Sequence, residues 1–309
     1  MPITFYGKTY WDVEMQVDTA TLSSGKGKVD TPVQLTVGGF ACNAARAVHS
    51  HSAASDSMVV TVCAPADQER IVWSLPTSTT LQPLLTEDSP RCFPDISVIL
   101  NPASDCRILR DPGPANDPLW SFDALAPKVL ESDVHALGRV PVAFAAEVIS
   151  HAEAKKTKVA WCGGDALPPD LEAMCHLICV NQAEAASMLG AVPGSLSTAE
   201  LATALAARAM VDGAMRMVTG RGAQPTIVAM QVASEIQLAS SEPEAIERDK
   251  IQGFLGVGDA FAATYLVHVF FAADGSLRSV PAIPAALGAA QQAATHFLTH
   301  ARPRGRENS

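Results

Sequence analysis

Aromatic residues make up only 6% of this 309-residue chain and charged residues only 17%. With alanine abundant instead, close packing of helices on a sheet fits the composition better than a β-sandwich does. Positive charge is in deficit: 22 Lys and Arg against 32 Asp and Glu leave a formal net charge of −10. A general nucleic-acid binder needs a positive field to displace counterions, so that class is excluded. Arg302, Arg304 and Arg306, clustered near the end, read as a solvated tail. No apolar run reaches the roughly 18–20 residues that cross a bilayer, so no membrane partner is expected. The opening MPITFYGKTYWDVEMQVD has no basic segment followed by an apolar one and does not read as a secretory signal. Seven cysteines, an odd count, form no disulfide framework. In CHLIC, Cys175 and Cys179 enclose His176, but no second ligand pair lies nearby. Reduced, buried thiols in a cytoplasmic protein are the expectation, rather than zinc.

Two common phosphate motifs are missing as well. There is no G-x-x-x-x-G-K followed by Ser or Thr, and GVGDAF carries Phe261 where a dinucleotide fingerprint needs its third glycine. What is present is an alternation of short apolar runs with helical segments. ITFYG reads as a strand ending in a glycine turn, and SMVVTVCA as a central strand covered on both faces. VEMQVD and TPVQLTV alternate apolar and polar residues around the polar SSGKGKVD, as a small antiparallel flap does. DISVILN and CRIL complete that flap within an otherwise irregular stretch from Leu75 to Asp117. Beyond Trp120, VPVAFAA, TKVAWCG, HLICVN and MRMVTG are candidate strands. The helical PPDLEAMC, QAEAASMLG and TAELATALAARAM lie between them, and two alanine-rich helices follow, one from near Asp259 and one over about 284–300. Strand–helix alternation predicts a parallel sheet with helices on both faces. With no repeat and no linker, residues 1–309 read as a single domain.

Three stretches could carry chemistry. In GVGDAF, Gly256 and Gly258 open a long apolar helix, with Asp259 in its first turn. First-turn N–H groups lack helical partners and, with the helix dipole, attract an anion, and glycines let it approach. A carboxylate there either takes a proton from an attacking hydroxyl or is simply an acid favoured by the dipole. In VGGFACNAARAV, Gly38 and Gly39 precede a helix carrying Asn43. An amide that donates and accepts suits a sugar diol, or Asn43 is a surface residue after a strand-to-helix turn. In VNQAEAASML, Asn181 and Glu184 are either a capping pair or a group near a metal-bound phosphate, acting through water.

In this order and at these spacings, the stretches resemble the ribokinase-like (PfkB) family of carbohydrate and nucleoside kinases, over most of the chain. GKTYWD is similar to the family's first strand-turn, with Asp12 at the place of an aspartate that binds substrate hydroxyls. GGFACNAA fits its pair of glycines and asparagine, NQAE its N-x-x-E element, and GVGDAF the end of its D-T-x-G-A-G-D pattern. The resemblance implies a three-layer α/β/α body around a central, mostly parallel sheet, with a small β lid formed by segments of about 12–37 and 95–115. It implies ATP and Mg2+ as cofactors and a small sugar or sugar derivative as acceptor. Asp259 would be the catalytic base, with the backbone of Gly256, Val257 and Gly258 as the anion hole. Asp12, Gly38, Gly39, Asn43 and Glu147 would bind the sugar. Asn181, Glu184, Thr219 and Gly222, the last two from VTGRGA, would serve the nucleotide, and Glu184 would reach the metal through water. A homodimer formed through the lid would fit the same family. Gly253 and Phe254 replace the pattern's Asp-Thr, and with them goes the acid the family uses beside a monovalent cation. Phe40, where ribokinases often have lysine, makes that wall of the sugar pocket apolar and also suits a nucleoside base. A nucleoside kinase, or a sugar-binding homologue with little turnover, is therefore the alternative.

Overall fold

The computed structural model describes residues 2–15, 17, 33–51, 56–84, 95–100, 107–111, 119–164, 166–220, 222, 224–233 and 235–300. The SSGKGKVD segment, the arginine-rich tail and parts of the 12–37 and 95–115 segments lie outside them. The elements run β1 (Ile3–Tyr6), β2 (Tyr10–Met15), β3 (Gln34–Gly38), α1 (Phe40–His51), β4 (Ser57–Val62), α2 (Pro65–Ser74), β5 (Thr79–Leu84), β6 (Asp95–Leu100) and β7 (Arg107–Asp111). They continue with β8 (Val134–Leu137), α3 (Val142–Lys155), β9 (Lys158–Cys162), α4 (Pro169–Met174), β10 (Leu177–Asn181), α5 (Gln182–Leu189) and α6 (Thr198–Ala206). Last come β11 (Met215–Thr219), β12 (Thr226–Val232), β13 (Glu235–Ser241), α7 (Val257–Phe270) and α8 (Ile283–Thr299).

Nine strands form the main sheet, in the order β13-β12-β11-β10-β9-β8-β1-β4-β5. From β5 to β11 every neighbouring pair is parallel; β12 and β13 add an antiparallel hairpin at one edge. Period-two alternation sends strand side chains to two separate cores. Ile3, Phe5, Val59, Val134, Ala136, Ala160, Leu177, Met215 and Met217 pack on the face covered by α1, α7 and α8. Tyr6, Met58, Val60, Leu137, Trp161, Ile178 and Val218 pack on the opposite face, under α3, α5 and α6. Strands buried on both faces have to be apolar throughout, which is why β4 reads SMVVTV. The layers are thus helix, sheet, helix, as the sequence implied.

A second sheet of four strands, β3-β2-β6-β7, stands beside the body. It is mixed rather than antiparallel, because β2 and β6 run parallel while the two outer pairs are antiparallel. Two further readings change. VPVAFAA is not a strand but the start of α3, while the strand expected nearby is the preceding VHAL, β8. Phe144, Ala145, Val148, Ile149 and Ala152 recur at helical spacing and are buried, and that 3.6-residue period decides the matter. β5 lies inside the stretch read as irregular; its Pro83 is tolerated because β5 is an edge strand.

The chain runs from β1 outward through β4 to β5, then returns to β8 and proceeds the other way through β9, β10 and β11. Strand order therefore reverses between β1 and β8. In open parallel sheets the carboxyl ends of the strands at such a reversal leave a crevice between diverging loops.

Candidate active site

The crevice is a cavity of about 300 Å³. Its walls come from the turns after β1, β8, β9, β10 and β11, from the small sheet, and from the first turns of α1 and α7. Among the predicted residues, Asp12, Gly39, Asn43, Asn181, Glu184, Thr219, Gly256, Gly258 and Asp259 all line it. The chain brings them together from segments more than 240 residues apart.

α7 sets the centre. Its flank from Ala260 to Phe270 is buried on nearly every side, so its start is held rigidly against the sheet. Gly256 caps it in the left-handed region, φ 76°, and, being glycine, brings no side chain to bond the first-turn amides. The first intrahelical bond is Ala260 N–H to the Gly256 carbonyl, 2.8 Å. The N–H groups of Val257, Gly258 and Asp259 thus precede the helical ladder, and the dipole adds partial positive charge at that point. Val257 itself packs on the core, so only its backbone can serve the cavity.

Asp259, half-buried, meets α1 across the cleft. The Asn43 amide Nδ2 donates to Asp259 Oδ2 at 2.8 Å, a contact spanning 216 residues of chain. Asn43 is in turn held by Arg46, whose Nη1 donates to Asn43 Oδ1 at 3.1 Å while Nε donates to the Ser74 carbonyl at 2.9 Å. Asn43 and Arg46 are both buried. The chain Arg46–Asn43–Asp259 fixes which amide atom faces the carboxylate: Oδ1 is taken by the guanidinium, so Nδ2 points to Asp259. Gly256 leaves room for this arrangement, since a Cβ there would come within 2.9 Å of Asn43 Nδ2.

Asp12, on β2, is buried and faces the same cavity. Gly38 is not in the wall; it lies behind Asp12, and any side chain on it would run into the Asp12 carboxylate. Gly39, φ 95°, makes the sharp entry to α1, and its carbonyl accepts from Asn43 N–H at 3.0 Å. Across the sheet, Asn181 and Glu184 form a full capping box at the start of α5. Asn181 Oδ1 accepts from the N–H groups of Ala183 and Glu184, and Glu184 Oε2 accepts from Asn181 N–H at 3.0 Å. The capping reading is therefore correct, and the box also orients Glu184. Its Oε1 has no hydrogen bond among the described residues, and Gly163 leaves the space beside the carboxylate open.

No protein-family model matches the sequence, and no curated protein does. Solved structures do match over nearly the whole length. Arabidopsis thaliana ribokinase complexed with ribose and ATP aligns at TM-score 0.70 and 16% identity, covering 98% of this chain and 95% of that one. Anopheles gambiae adenosine kinase in complex with P1,P4-di(adenosine-5) tetraphosphate aligns at TM-score 0.73 and 12% identity, covering 97% and 96%. Burkholderia thailandensis nucleoside kinase in complex with inosine aligns at TM-score 0.65 and 15% identity, covering 96% and 91%. This chain has the ribokinase-like fold.

Besides Gly38 and Val257, two more of the predicted residues stand outside the cavity wall in this ribokinase-like fold. Glu147 is exposed in the middle of α3 and does not line it. The resemblance set Glu147 at the end of VPVAFAA read as a strand; the strand that ends at the crevice is β8, and the residue it delivers is Arg139. Gly222, φ 64°, sits in the open turn between β11 and β12, outside the wall. Lys8, Tyr10, Ser97, Cys162, Met217 and Phe254 line the cavity without having been singled out for it. Lys8 and Arg139 each lie two residues past the end of a strand, a position readable only once the strands are placed. Arg46 stood in plain view inside NAARAV, yet nothing local to that helix announces its grip on Asn43.

Proposed function

We propose that the protein is an ATP-dependent phosphotransferase acting on a hydroxyl of a small sugar or sugar derivative. The observation that carries this reading is the Asn43–Asp259 contact at the start of α7, inside one cavity shared with Asp12 and Glu184. Phosphoryl transfer needs alignment and charge stabilisation more than covalent help. Asp12 and Asn43 hold the acceptor diol. Asp259 takes the proton of the attacking hydroxyl; that oxygen bonds to the γ-phosphorus, and ADP leaves. First-turn amides of α7, cleared by Gly256 and Gly258, face the charge that develops on the transferred group. A donor of this kind contributes about 3–4 kcal/mol in other oxyanion sites, and a positioned base roughly 10²–10⁴ in rate.

Asn181, Glu184 and Thr219 line the far end of the cavity and are assigned to the nucleotide. A hard divalent cation fits there: Glu184 offers a carboxylate oxygen with no other hydrogen bond among the described residues, beside the open space at Gly163. Mg2+ commonly uses one or two carboxylates plus phosphate oxygens, and when bound it neutralises phosphate charge. Glu184 would hold it through water.

A second reading, a nucleoside kinase, is favoured by one feature. Tyr10, Phe40 and Phe254 all reach the cavity wall, and aromatic faces suit a base. ADP release, measured with ATP and Mg2+ against a panel of pentoses, hexoses and nucleosides, separates the two. Turnover with sugars alone is expected. Turnover with nucleosides alone installs the second reading, and tight ligand binding without ADP from any acceptor sinks both.

A further inference from the structure

The cavity floor carries a row of sulfur atoms. β9, β10 and β11 run parallel, and their register pairs Cys162 with Cys179 and Cys179 with Met217. Neighbouring strands lie about 4.8 Å apart, and residues paired in register point to the same face. All three side chains belong to the core beneath α7, and all three line the cavity. The neighbouring Cys179 thiol, together with burial, pushes the Cys162 thiol well above the ordinary range; Asp259 acts in the same direction. Both cysteines are free thiols, 8% and 5% exposed.

Two thiols and a thioether make a soft ligand set. Sulfur of this kind selects copper(I) and its congeners, which accept two or three ligands, whereas oxygen ligands suit magnesium and calcium. Zinc ordinarily requires four ligands, and no three of His, Cys, Asp and Glu gather at metal-binding distance among the described residues. The third ligand here is methionine, whose unbranched chain adapts its sulfur to a ligand's position. We propose that Cys162, Cys179 and Met217 form a binding site for a soft monovalent cation of the copper(I) class on the floor of the cavity. The exchange balances without redox chemistry. Two S–H bonds give two thiolates, both protons pass to solvent, and the metal keeps its oxidation state. The binding site stands on the sulfur row alone. Its consequence for activity rests on the kinase reading: an ion held there sits under Asp259 and blocks the acceptor's approach.

The test uses reduced protein under anaerobic conditions, with Cu(I) supplied by a chromophoric chelator. Wild type is expected to hold one equivalent against the chelator and to protect Cys162 and Cys179 from iodoacetamide, as mapped by peptide mass spectrometry. Cys162→Ala and Cys179→Ala should each weaken binding roughly 100-fold or more, and Met217→Leu about tenfold. Complete loss of copper to the chelator would overturn the site. So would unchanged affinity in both cysteine variants, or equal alkylation of Cys162 and Cys179 with and without copper. Should the variants fail to fold, the alkylation map of wild type still decides. Binding without any ADP release from any acceptor leaves the site standing and removes the kinase reading; turnover without copper binding does the reverse.

Discussion

At the residue scale, the weight rests on Asp259 and its partner. The Asn43 amide donor holds the Asp259 carboxylate at 2.8 Å, and with its Oδ1 engaged by Arg46 it faces the acid as a donor. Asp259→Asn keeps the shape and removes the base. We expect turnover to fall by at least 10²–10⁴, with nucleotide affinity unchanged when measured by calorimetry. Asn43→Ala leaves Asp259 in place but releases both it and Arg46, a buried cation that then loses one of its bonds. Here kcat should fall about tenfold or more, with a loss of stability on the order of 1–3 kcal/mol by urea unfolding. Retained activity in Asp259→Asn would remove the base assignment, whatever Asn43 does.

At the element scale, helix starts govern the site. α1 and α7 both begin with a glycine in the left-handed region, Gly39 and Gly256, and at both the backbone turns back against another functional group. Gly256→Ala forces a positive φ on a residue with a Cβ and pushes that Cβ against the Asn43 amide. A cost of about 1–3 kcal/mol in thermal or urea unfolding is expected, and a drop in kcat larger than the change in KM, because the base moves with the turn. These two turns were legible in the sequence because glycine pairs before an amphipathic or apolar run have few other uses. α3 was not. VPVAFAA, which runs into its start from Val140, is all apolar, and a short apolar run gives no period to separate strand from helix. Only its extension to Lys155 reveals the helical repeat, which sets Glu147 on the exposed side of the helix. The capping box at Asn181 and Glu184 shows the opposite case: one local pattern with two uses, of which the structural one is now visible and the nucleotide one is ours to test.

At the scale of the whole molecule, the sequence order of motifs carried the fold, since four short stretches in the right sequence imply how strands must be threaded. What stayed hidden were pairings between distant segments: Arg46 on Asn43, Cys162 beside Cys179, and the mixed small sheet, none of which any local window encodes. Another such pairing governs stability. His135, on β8, is fully buried against Tyr6 and His151 on the face away from the cavity. Its Nδ1 shares a hydrogen bond with the Tyr6 hydroxyl at 2.9 Å, and its Nε2 has no hydrogen-bond partner among the described residues. Burial, helped by the neighbouring His151, lowers its pKa from 6.5 to about 4. The folded state therefore binds this proton more weakly than the unfolded chain does. Stability from this group is complete above pH 6.5 and is lost as pH falls from there toward 4. Between pH 7.5 and 5 the loss amounts to about 2 kcal/mol from this one ring. Half-buried His176 also has its pKa lowered by burial, and adds to the slope. Glu172, whose carboxyl burial pushes up, opposes it. Urea unfolding at the two pH values should show the fall in wild type, and His135→Gln should show it reduced by that amount. A variant whose stability falls as steeply as wild type would mean that the imidazole takes up its proton inside the folded protein.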